Sequence, residues 1–369
     1  MELKINASEF KVFGKDGKKY GVMAIFNGDS LALSTPDLYV EKVPFDMTDI
    51  EGIEDGNMIC RVNGDQIKGA GAFIRVKDWA IGGENPLPLA IGQGDTLNEY
   101  QVNVDGFKNS LSWLLQASSY DEGRPNLNGI YFDVKDSIVD MVATDGHRLG
   151  WDQAINEVDC PDCAFTIRNT AIETALKLAG KKGDIGTMTI RESVYPSGCL
   201  RDSMVSFTGI PNVHFPKGVI DLEYPEFRKV IPNSGFEFSF TAEFQAIKAF
   251  VKENQKVAKS PGMYAGRYSD PLVMFNVRND GVRVYVKDGN GEVISQELRG
   301  GFAVKREPNQ ETGETESFEI AFNINYLKDA LDGMTGEPDD TITFNCKGNA
   351  SACLLHDRDR KCVIMPVRM

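Results

Sequence analysis

Residues 127–150 read LNGIYFDVKDSIVDMVATDGHRLG, and this stretch decides the fold that the sequence predicts. Ile130, Phe132 and Val134 alternate with polar or amphipathic neighbours, which is the pattern of a β-strand with one buried face. The charged pair Lys135-Asp136 turns the chain, and a second run rich in apolar residues follows. The stretch therefore predicts a β-hairpin that closes on a Thr-Asp-Gly turn.

Similar hairpins recur along the chain, which indicates internal duplication. One joins residues 273–277 to residues 282–286, and a fainter copy joins residues 22–26 to residues 31–33. The hairpins at residues 127–150 and 273–286 each lie within the same order of elements: strand, helix, hairpin, strand, helix, strands. The sequence predicts an α+β protein of three repeated domains, in which paired helices pack on antiparallel sheets. The predicted domains are residues 1–97, 98–232 and 233–369.

The first predicted domain is divergent and β-rich. The segment from Phe13 to Lys19 is rich in Gly and Lys, and residues 1–97 show no convincing amphipathic helix. We expect strands and turns throughout this part of the chain. Residues 84–97 contain two prolines and two glycines, which is typical of a linker.

Length and composition place the chain among soluble globular proteins. Its 369 residues include 41% hydrophobic and 25% charged residues, which suits about two to three domains. No apolar run approaches the roughly 20 residues that a membrane span needs, and the N-terminus lacks a signal-peptide pattern. The expected location is cytoplasmic.

The cysteines favour neither a disulfide framework nor a metal site. Seven cysteines is an odd number and a low density for a chain of this length. Cys160 and Cys163 form a CxxC pair, but no second ligand pair follows at the spacing of a zinc finger. We interpret them as two thiols in a loop and expect no bound metal.

A lysine stripe stands out against the formal net charge of −14. Successive residues of an α-helix are rotated by about 100° around its axis. In the helix predicted over residues 242–259, this rotation places four lysines within one arc of roughly 80° that contains no acidic residue. The stripe consists of Lys248, Lys252, Lys256 and Lys259. Amines about one turn apart suit phosphates, which need charge and no base readout. A merely solvated helix face explains the pattern equally well.

Motifs for catalysis are not evident. The three histidines do not fall in HExxH, and no phosphate-binding loop of the GxxxxGK[ST] type occurs. Asp145-Gly146-His147 could be read as a base with its orienting acid. A tight turn whose polar groups bind the backbone is the favoured interpretation. We therefore expect no enzyme activity, no catalytic residues and no cofactor.

Four motifs in order resemble those of one known family. They are residues 144–149 (TDGHRL, preceded by LNG at 127–129), residues 224–232 (YPEFRKVIP), residues 322–331 (FNINYLKDAL) and residues 363–369 (VIMPVRM). Together they are similar to the bacterial sliding clamp, the β subunit of DNA polymerase III. The resemblance covers roughly residues 98–369.

The resemblance implies an architecture and a set of partners. It implies three DNA-clamp domains per chain and two chains head to tail in a homodimeric ring around double-stranded DNA, bound without sequence preference. It implies a processivity factor without catalysis. Expected partners are the polymerase catalytic subunit, the clamp loader, and repair proteins that carry clamp-binding peptides.

The resemblance also implies a hydrophobic groove where such peptides dock. The matching positions are Leu127, Thr144, Gly146, His147, Arg148, Leu149, Pro225, Lys229, Val230, Asn323, Tyr326, Val363, Ile364, Met365, Pro366, Val367, Arg368 and Met369. Lys229 stands where arginine is common, Val367 where methionine is common, and Met369 where leucine is common. A soft apolar pocket tolerates such changes.

In a clamp, the lysine stripe would face the hole. The further DNA-binding candidates are Lys177, Lys181, Lys182, Lys108 and Arg124. The alternative function is a clamp-like adaptor that binds peptides but does not close a ring on DNA. An unrelated β-rich structural protein fits the ordered motifs poorly.

Overall fold

The computed structural model describes most of the chain. The described residues are 2–26, 30–35, 38–49, 58–77, 80–81, 95–103, 106–156, 160–180, 185–194, 201–216, 223–258, 271–278, 281–288, 290–299, 302–304, 318–334, 340–356 and 360–368.

Helices occur in both compact units of the described chain. The α-helices are α1 (Gly14–Tyr20), α2 (Gly64–Lys68), α3 (Phe107–Ala117), α4 (Asn169–Ala179), α5 (Phe227–Val230), α6 (Phe244–Asn254) and α7 (Ile324–Gly333). Short 3-10 helices span Ala7–Phe13 and Pro125–Leu127.

Strands dominate the fold, and the sheets are antiparallel wherever the pairing is described. The strands before residue 110 are β1 (Glu2–Asn6), β2 (Val22–Phe26), β3 (Leu31–Thr35), β4 (Leu38–Val40), β5 (Phe45–Asp49), β6 (Met58–Val62), β7 (Phe73–Val76), β8 (Ala80–Ile81) and β9 (Asp95–Asn103). The next are β10 (Gly129–Lys135), β11 (Ile138–Thr144), β12 (Arg148–Ile155), β13 (Cys163–Arg168), β14 (Thr187–Val194), β15 (Arg201–Phe207) and β16 (Val213–Pro216). The last are β17 (Phe238–Glu243), β18 (Leu272–Arg278), β19 (Gly281–Lys287), β20 (Val293–Leu298), β21 (Phe302–Val304), β22 (Phe318–Asn323), β23 (Thr341–Cys346), β24 (Cys353–His356) and β25 (Arg360–Ile364).

The element order confirms the predicted α+β repeat. The run from β9 to β16 follows the order strand, helix, hairpin, strand, helix, strands, and the run from β17 to β25 follows it again. The hairpin of β10 and β11 forms where residues 127–150 predict it, although its turn lies at Asp136 and Ser137. Both turn residues have a positive φ, of 50° and 63°, which suits the twist of a two-residue hairpin loop.

The chain divides into two compact units. The first comprises Met1–Lys108, Tyr131–Val139 and Ala154–Leu222, and the second comprises Asn109–Ile130, Asp140–Gln153 and Glu223–Met369. The boundaries of the three repeated domains stay a prediction. In the linker predicted over residues 84–97, β9 already begins at Asp95, and residues 84–94 lie outside the described part.

The first unit contains a nine-stranded sheet and a three-stranded sheet. Their strand orders are β8-β6-β2-β3-β4-β16-β15-β14-β9 and β5-β1-β7. Ile25, Ala32, Tyr39 and Met204 form one buried cluster between neighbouring strands. His214 is half-buried beside Tyr39 of this cluster, and partial burial lowers its pKa although Glu41 lies 3.4 Å from its ring.

The expectation that residues 1–97 lack helices is wrong. The chain is helical from Ala7 to Tyr20, first as a 3-10 helix and then as α1, and α2 follows later. The glycines in these segments argued against helices because glycine is a poor helix former. Here it permits close packing: a Cβ on Gly64 would lie 1.9 Å from the backbone oxygen of Lys18, so α1 and α2 touch through backbone.

Gly64→Ala is expected to lower the free energy of unfolding by about 1–3 kcal/mol, because α2 must move away from α1 to admit the methyl group. Gly71→Ala is the matched control, since a Cβ there meets no atom within 4 Å. Urea denaturation of both variants measures the difference. Equal stability of the two variants would contradict the close packing.

The second unit has an aromatic core. Phe240, Phe275, Phe322 and Phe344 are almost fully buried and come from β17, β18, β22 and β23. The rings of Phe240 and Phe344 stack with centroids 4.5 Å apart. The strands of one sheet run in the order β12-β25-β24-β23-β17-β21, and a four-stranded sheet has the order β20-β19-β18-β22.

The helix predicted over residues 242–259 is shorter than expected. It is α6, which begins at Phe244 and ends at Asn254. Residues 242 and 243 belong to β17, because backbone pairing with β23 outweighs the helical period there. At the other end, the Asn254 carbonyl accepts from the N–H groups of Val257 and Ala258, which closes the helix in a turn.

Within the described residues, no helix combines the length and the apolar character needed to cross a membrane.

Candidate functional site

An apolar pocket of about 250 Å³ opens in the second unit. It is lined by Leu127, Thr144, Gly146, His147, Arg148, Leu149, Tyr224, Pro225, Phe227, Val230, Ala352, Val363 and Met365. Residues from three of the four sequence motifs meet here, although they lie more than 200 positions apart in the chain.

One wall of the pocket is the Thr144-Asp145-Gly146 turn, which its own side chains hold in shape. The Thr144 hydroxyl accepts from the N–H of Gly146 at 3.1 Å and donates to the carbonyl of Arg148 at 2.6 Å. One Asp145 oxygen accepts from the N–H groups of His147 and Arg148. Gly146 has a φ of +89°, a conformation that favours glycine. The favoured interpretation of this motif as a tight turn is confirmed.

Arg148 fixes the turn to the neighbouring helices. Its guanidinium is 3.1 Å from a carboxylate oxygen of Asp145 and 2.6 Å from one of Asp329. It also donates to the backbone carbonyl of Gln116 and lies 4.4 Å from the ring centroid of Tyr326. Because only 12% of the Arg148 side chain is exposed, these ion pairs are poorly screened by solvent.

Arg124 supports the same turn from outside. It donates to the carbonyl of Asp145 at 2.9 Å and pairs with Asp121 at 3.0 Å. A Cβ on Gly146 would lie 2.6 Å from an Arg124 nitrogen, so the arginine covers the glycine closely. This residue was predicted to bind DNA, and the structure places it beside the pocket.

The opposite wall comes from the YPEFRKVIP motif. Tyr224 and Phe227 are buried at the pocket, whereas Val230 is 58% exposed at its edge. Of these, only Val230 was a predicted site residue. The sequence signal for Tyr224 and Phe227 is their position as the two aromatic residues of the YPEFRKVIP motif. Ala352 also lines the pocket, and nothing in its sequence context indicates this.

The C-terminal segment forms the floor. β25 pairs with β12 so that Val363 lies opposite Leu149, and both residues line the pocket. Met365 is 41% exposed, and its N–H donates to the carbonyl of His147 at 2.9 Å. The alternation of a strand turns Ile364 into the core.

The remaining predicted groove residues lie close to this pocket but do not line it. Lys229 is exposed and pairs with Glu226 at 3.1 Å. Asn323 is buried and caps α7 through the N–H of Asn325. Tyr326 stacks against His147, with ring centroids 6.4 Å apart.

The last four residues of the sequence differ in burial and in their contacts. Pro366 is buried, and the N–H of Val367 donates to Ala321 at 2.8 Å. Arg368 is exposed, and Met369 lies outside the described residues.

The lysine stripe is only partly available to a ligand. Lys248 donates to the Leu331 carbonyl at 3.0 Å and lies 3.8 Å from a carboxylate oxygen of Asp332, so α7 already engages its charge. Lys252 is exposed on α6, and Lys256 is exposed in the turn that follows. Lys259 lies outside the described residues.

The other predicted DNA-binding lysines belong to the first unit. Lys177 is exposed on the last turn of α4. Lys108 is half-buried and donates to the Gly180 carbonyl. Lys181 and Lys182 lie outside the described part of the chain.

The cysteines in the described part of the chain show no metal-binding arrangement. Among the described residues, no group of three or more His, Cys, Asp or Glu side chains could hold a metal ion. Cys346 and Cys353 face each other across β23 and β24 with sulfur atoms 2.8 Å apart. Burial raises the pKa of the nearby Cys362 to about 12, so this thiol stays protonated at neutral pH.

Comparisons with known sequences point to one kind of protein. No protein-family model matches the chain. The beta sliding clamp of Pseudomonas aeruginosa is 24% identical over 266 residues, which cover 69% of this chain and 61% of that protein. The match thus spans about three fifths of that relative's length. The beta sliding clamp of Haemophilus influenzae is 21% identical over 328 residues, which cover 84% of this chain and 79% of that protein.

Solved structures agree with the sequence matches. The beta subunit of DNA polymerase III from Thermotoga maritima has a TM-score of 0.67 and 16% identity, with 100% of this chain and 99% of that chain covered. A sliding clamp from Bartonella birtlesii, bound to griselimycin, has a TM-score of 0.64 and 18% identity over the whole of both chains. These likenesses agree with the resemblance carried by the four motifs: the chain is similar in sequence to bacterial beta sliding clamps and shares the α+β fold of the solved clamp structures.

Proposed function

We propose that this chain is a DNA sliding clamp, a processivity factor that encircles duplex DNA as a homodimeric ring and tethers a polymerase through the apolar pocket of the second unit. The observation that carries the proposal is that residues of the clamp-like motifs line the pocket. Three motifs of the resemblance converge on one cavity, within a chain whose whole length matches clamp folds. The action is topological confinement without catalysis, in the cytoplasm where bacterial DNA is replicated.

An exposed sheet edge supports ring assembly. β20 is the end strand of the four-stranded sheet in the second unit, and its Val293 and Ile294 are 51% and 39% exposed. An edge strand with exposed apolar side chains is a surface for pairing with another chain. A head-to-tail contact between two copies closes into a ring when two such contacts form. Light scattering on the purified chain tests this step, and a stable monomer would favour the adaptor alternative.

The exposed amines support contact with DNA. Lys252 on α6 and Lys256 in the turn that follows are exposed amines in a chain whose net charge is −14. Contacts to phosphate alone bind any sequence and permit sliding, while an acidic remainder discourages binding elsewhere. Retention on circular DNA, followed by release when the circle is cut, is the experiment that tests the function.

The pocket is proposed to hold apolar side chains of partner peptides, from polymerase, clamp loader and repair proteins. Griselimycin, the ligand of the Bartonella clamp, is a direct probe. Val230→Asp is expected to weaken griselimycin binding at least about tenfold, because a carboxylate at the pocket edge must lose water when the ligand binds. Isothermal titration calorimetry measures the dissociation constant.

The control for this change is Ile155→Asp, which places the same charge at a side chain that is 74% exposed and does not line the pocket. Its griselimycin affinity should equal that of the unaltered chain. If both variants bind as the unaltered chain does, the pocket is not the binding site.

A further inference from the structure

The second unit contains a larger pocket next to the first, separated from it by α5. Its volume is about 530 Å³. Phe227 and Val230 of α5 face the first pocket, whereas Arg228 and the following Ile231 face the second. Residues three apart share a helix face, so the two cavities lie on different sides of this short helix.

The same sheet surface continues under both pockets. Leu149 and Val363 pair across β12 and β25 in the first pocket, and Trp151 pairs with Lys361 two positions further along in the second. Residues two apart in a strand point to the same face. The Trp151 ring lies 5.9 Å from the Phe227 ring in an edge-to-face contact, which makes the apolar surface continuous.

The walls of the second pocket are apolar and cationic. Ile231, Pro232 and Leu354 supply apolar surface, and Arg228, His356 and Lys361 are the ionisable residues of its described lining. The lining thus carries no carboxylate among these residues, although acids outnumber bases by 54 to 40 in the chain.

The two strong bases are held differently. Arg228 pairs with the buried carboxylate of Asp140, which also accepts from the Trp151 indole at 2.8 Å. Lys361 is exposed, and its amine lies 4.0 Å from the centroid of the Trp151 ring. Asp140 therefore balances Arg228, and Lys361 presents its charge to the pocket mouth.

We propose that this second pocket is a subsite for acidic residues that flank the apolar anchor of a partner peptide. The inference rests on the proposed function, because the anchor must occupy the first pocket. A peptide continuing past α5 would place an apolar side chain between Ile231 and Leu354 and a carboxylate near Lys361. A concave apolar floor suits a side chain better than a phosphate backbone, which favours a peptide over nucleic acid.

The test uses two fluorescein-labelled synthetic peptides with the same Leu- and Phe-containing anchor. One carries Asp and Glu on both flanks, and the other carries Ser. On the unaltered chain the acidic peptide should bind about five- to tenfold more tightly by fluorescence anisotropy. Lys361→Glu should reduce this preference to about twofold or less, while the Ser-flanked peptide keeps its affinity.

Lys347→Glu is the matched control, since it makes the same charge change at an exposed residue outside both pockets and should preserve the preference. Equal affinity of both peptides for the unaltered chain would overturn the subsite while leaving the anchor pocket intact. If Val230→Asp leaves binding of both peptides unchanged, the proposed use of the first pocket fails instead. A Lys361→Glu effect confined to binding of single-stranded DNA would also overturn the proposal.

Discussion

Arg148→Met is expected to lower the free energy of unfolding of the second unit by about 3–5 kcal/mol, because it removes the guanidinium from two poorly hydrated carboxylates and leaves Asp329 with only the Lys328 amine, 3.8 Å away. The side chains of Asp145 and Asp329 are only 17% and 20% exposed. The carbonyl of Gln116 loses its donor, and Tyr326 loses the guanidinium above its ring. Methionine keeps most of the stem volume, so the loss reports mainly on charge and hydrogen bonding.

The matched control is Arg278→Met in the same unit. Arg278 also pairs with a carboxylate, at 2.9 Å, but 61% of the Glu297 side chain is exposed. Water replaces the arginine there, and the expected loss is about 1 kcal/mol or less. Urea denaturation followed by tryptophan fluorescence suits both variants, since Trp113 and Trp151 lie in the second unit. Similar losses in the two variants would show that the Arg148 pairs are not buried as described.

The same change should also affect the pocket. Arg148 ties the Thr144-Asp145-Gly146 wall to the rest of the unit, so its loss leaves that wall without its main anchor. We expect weaker griselimycin binding by Arg148→Met than by Arg278→Met under conditions where both variants remain folded.

The double variant Lys252→Glu with Lys256→Glu is expected to lose at least about tenfold in retention on circular DNA, because each chain replaces two proposed phosphate contacts with two repulsions. Both amines are exposed at α6 and the turn after it. Lys248 is left unchanged, since it binds Leu331 and Asp332 and its loss would disturb the packing of α6 on α7. The assay loads the protein onto nicked circular plasmid with a bacterial clamp loader and ATP, then separates bound from free protein by gel filtration.

A charge-matched control is Lys135→Glu with Lys347→Glu, two exposed lysines at strand turns. It should be retained like the unaltered chain, and cutting the plasmid should release both. Raising the salt concentration should weaken initial binding of the unaltered chain more than that of the double variant. If the two double variants lose retention equally, the net charge of the protein controls retention, and the location of the lysines at α6 does not.

The sequence predicted this fold well where the signal was local. Period-two runs located the hairpins, and the order of the strands and helices revealed the duplication, because alternation and turn chemistry act over a few residues. It also predicted most of the pocket: the motif residues Leu149, Val230 and Val363 line it together. That prediction depended on the resemblance, since spacing alone does not show that distant segments meet.

Only the tertiary structure decided features that depend on long-range neighbours. Gly64 permits α1 and α2 to touch, although its residue type argues against a helix. Pairing of β17 with β23 moves the start of α6 to Phe244. Asp332 pairs with Lys248, although the helical spacing of the lysine stripe had indicated a free cation there. Local pattern fixes what each segment tends to form. Residues far away in the chain decide where a segment ends, which backbone it contacts and whether its charged side chains are free to bind. The hydrophobic period of a segment does not show where those distant residues lie.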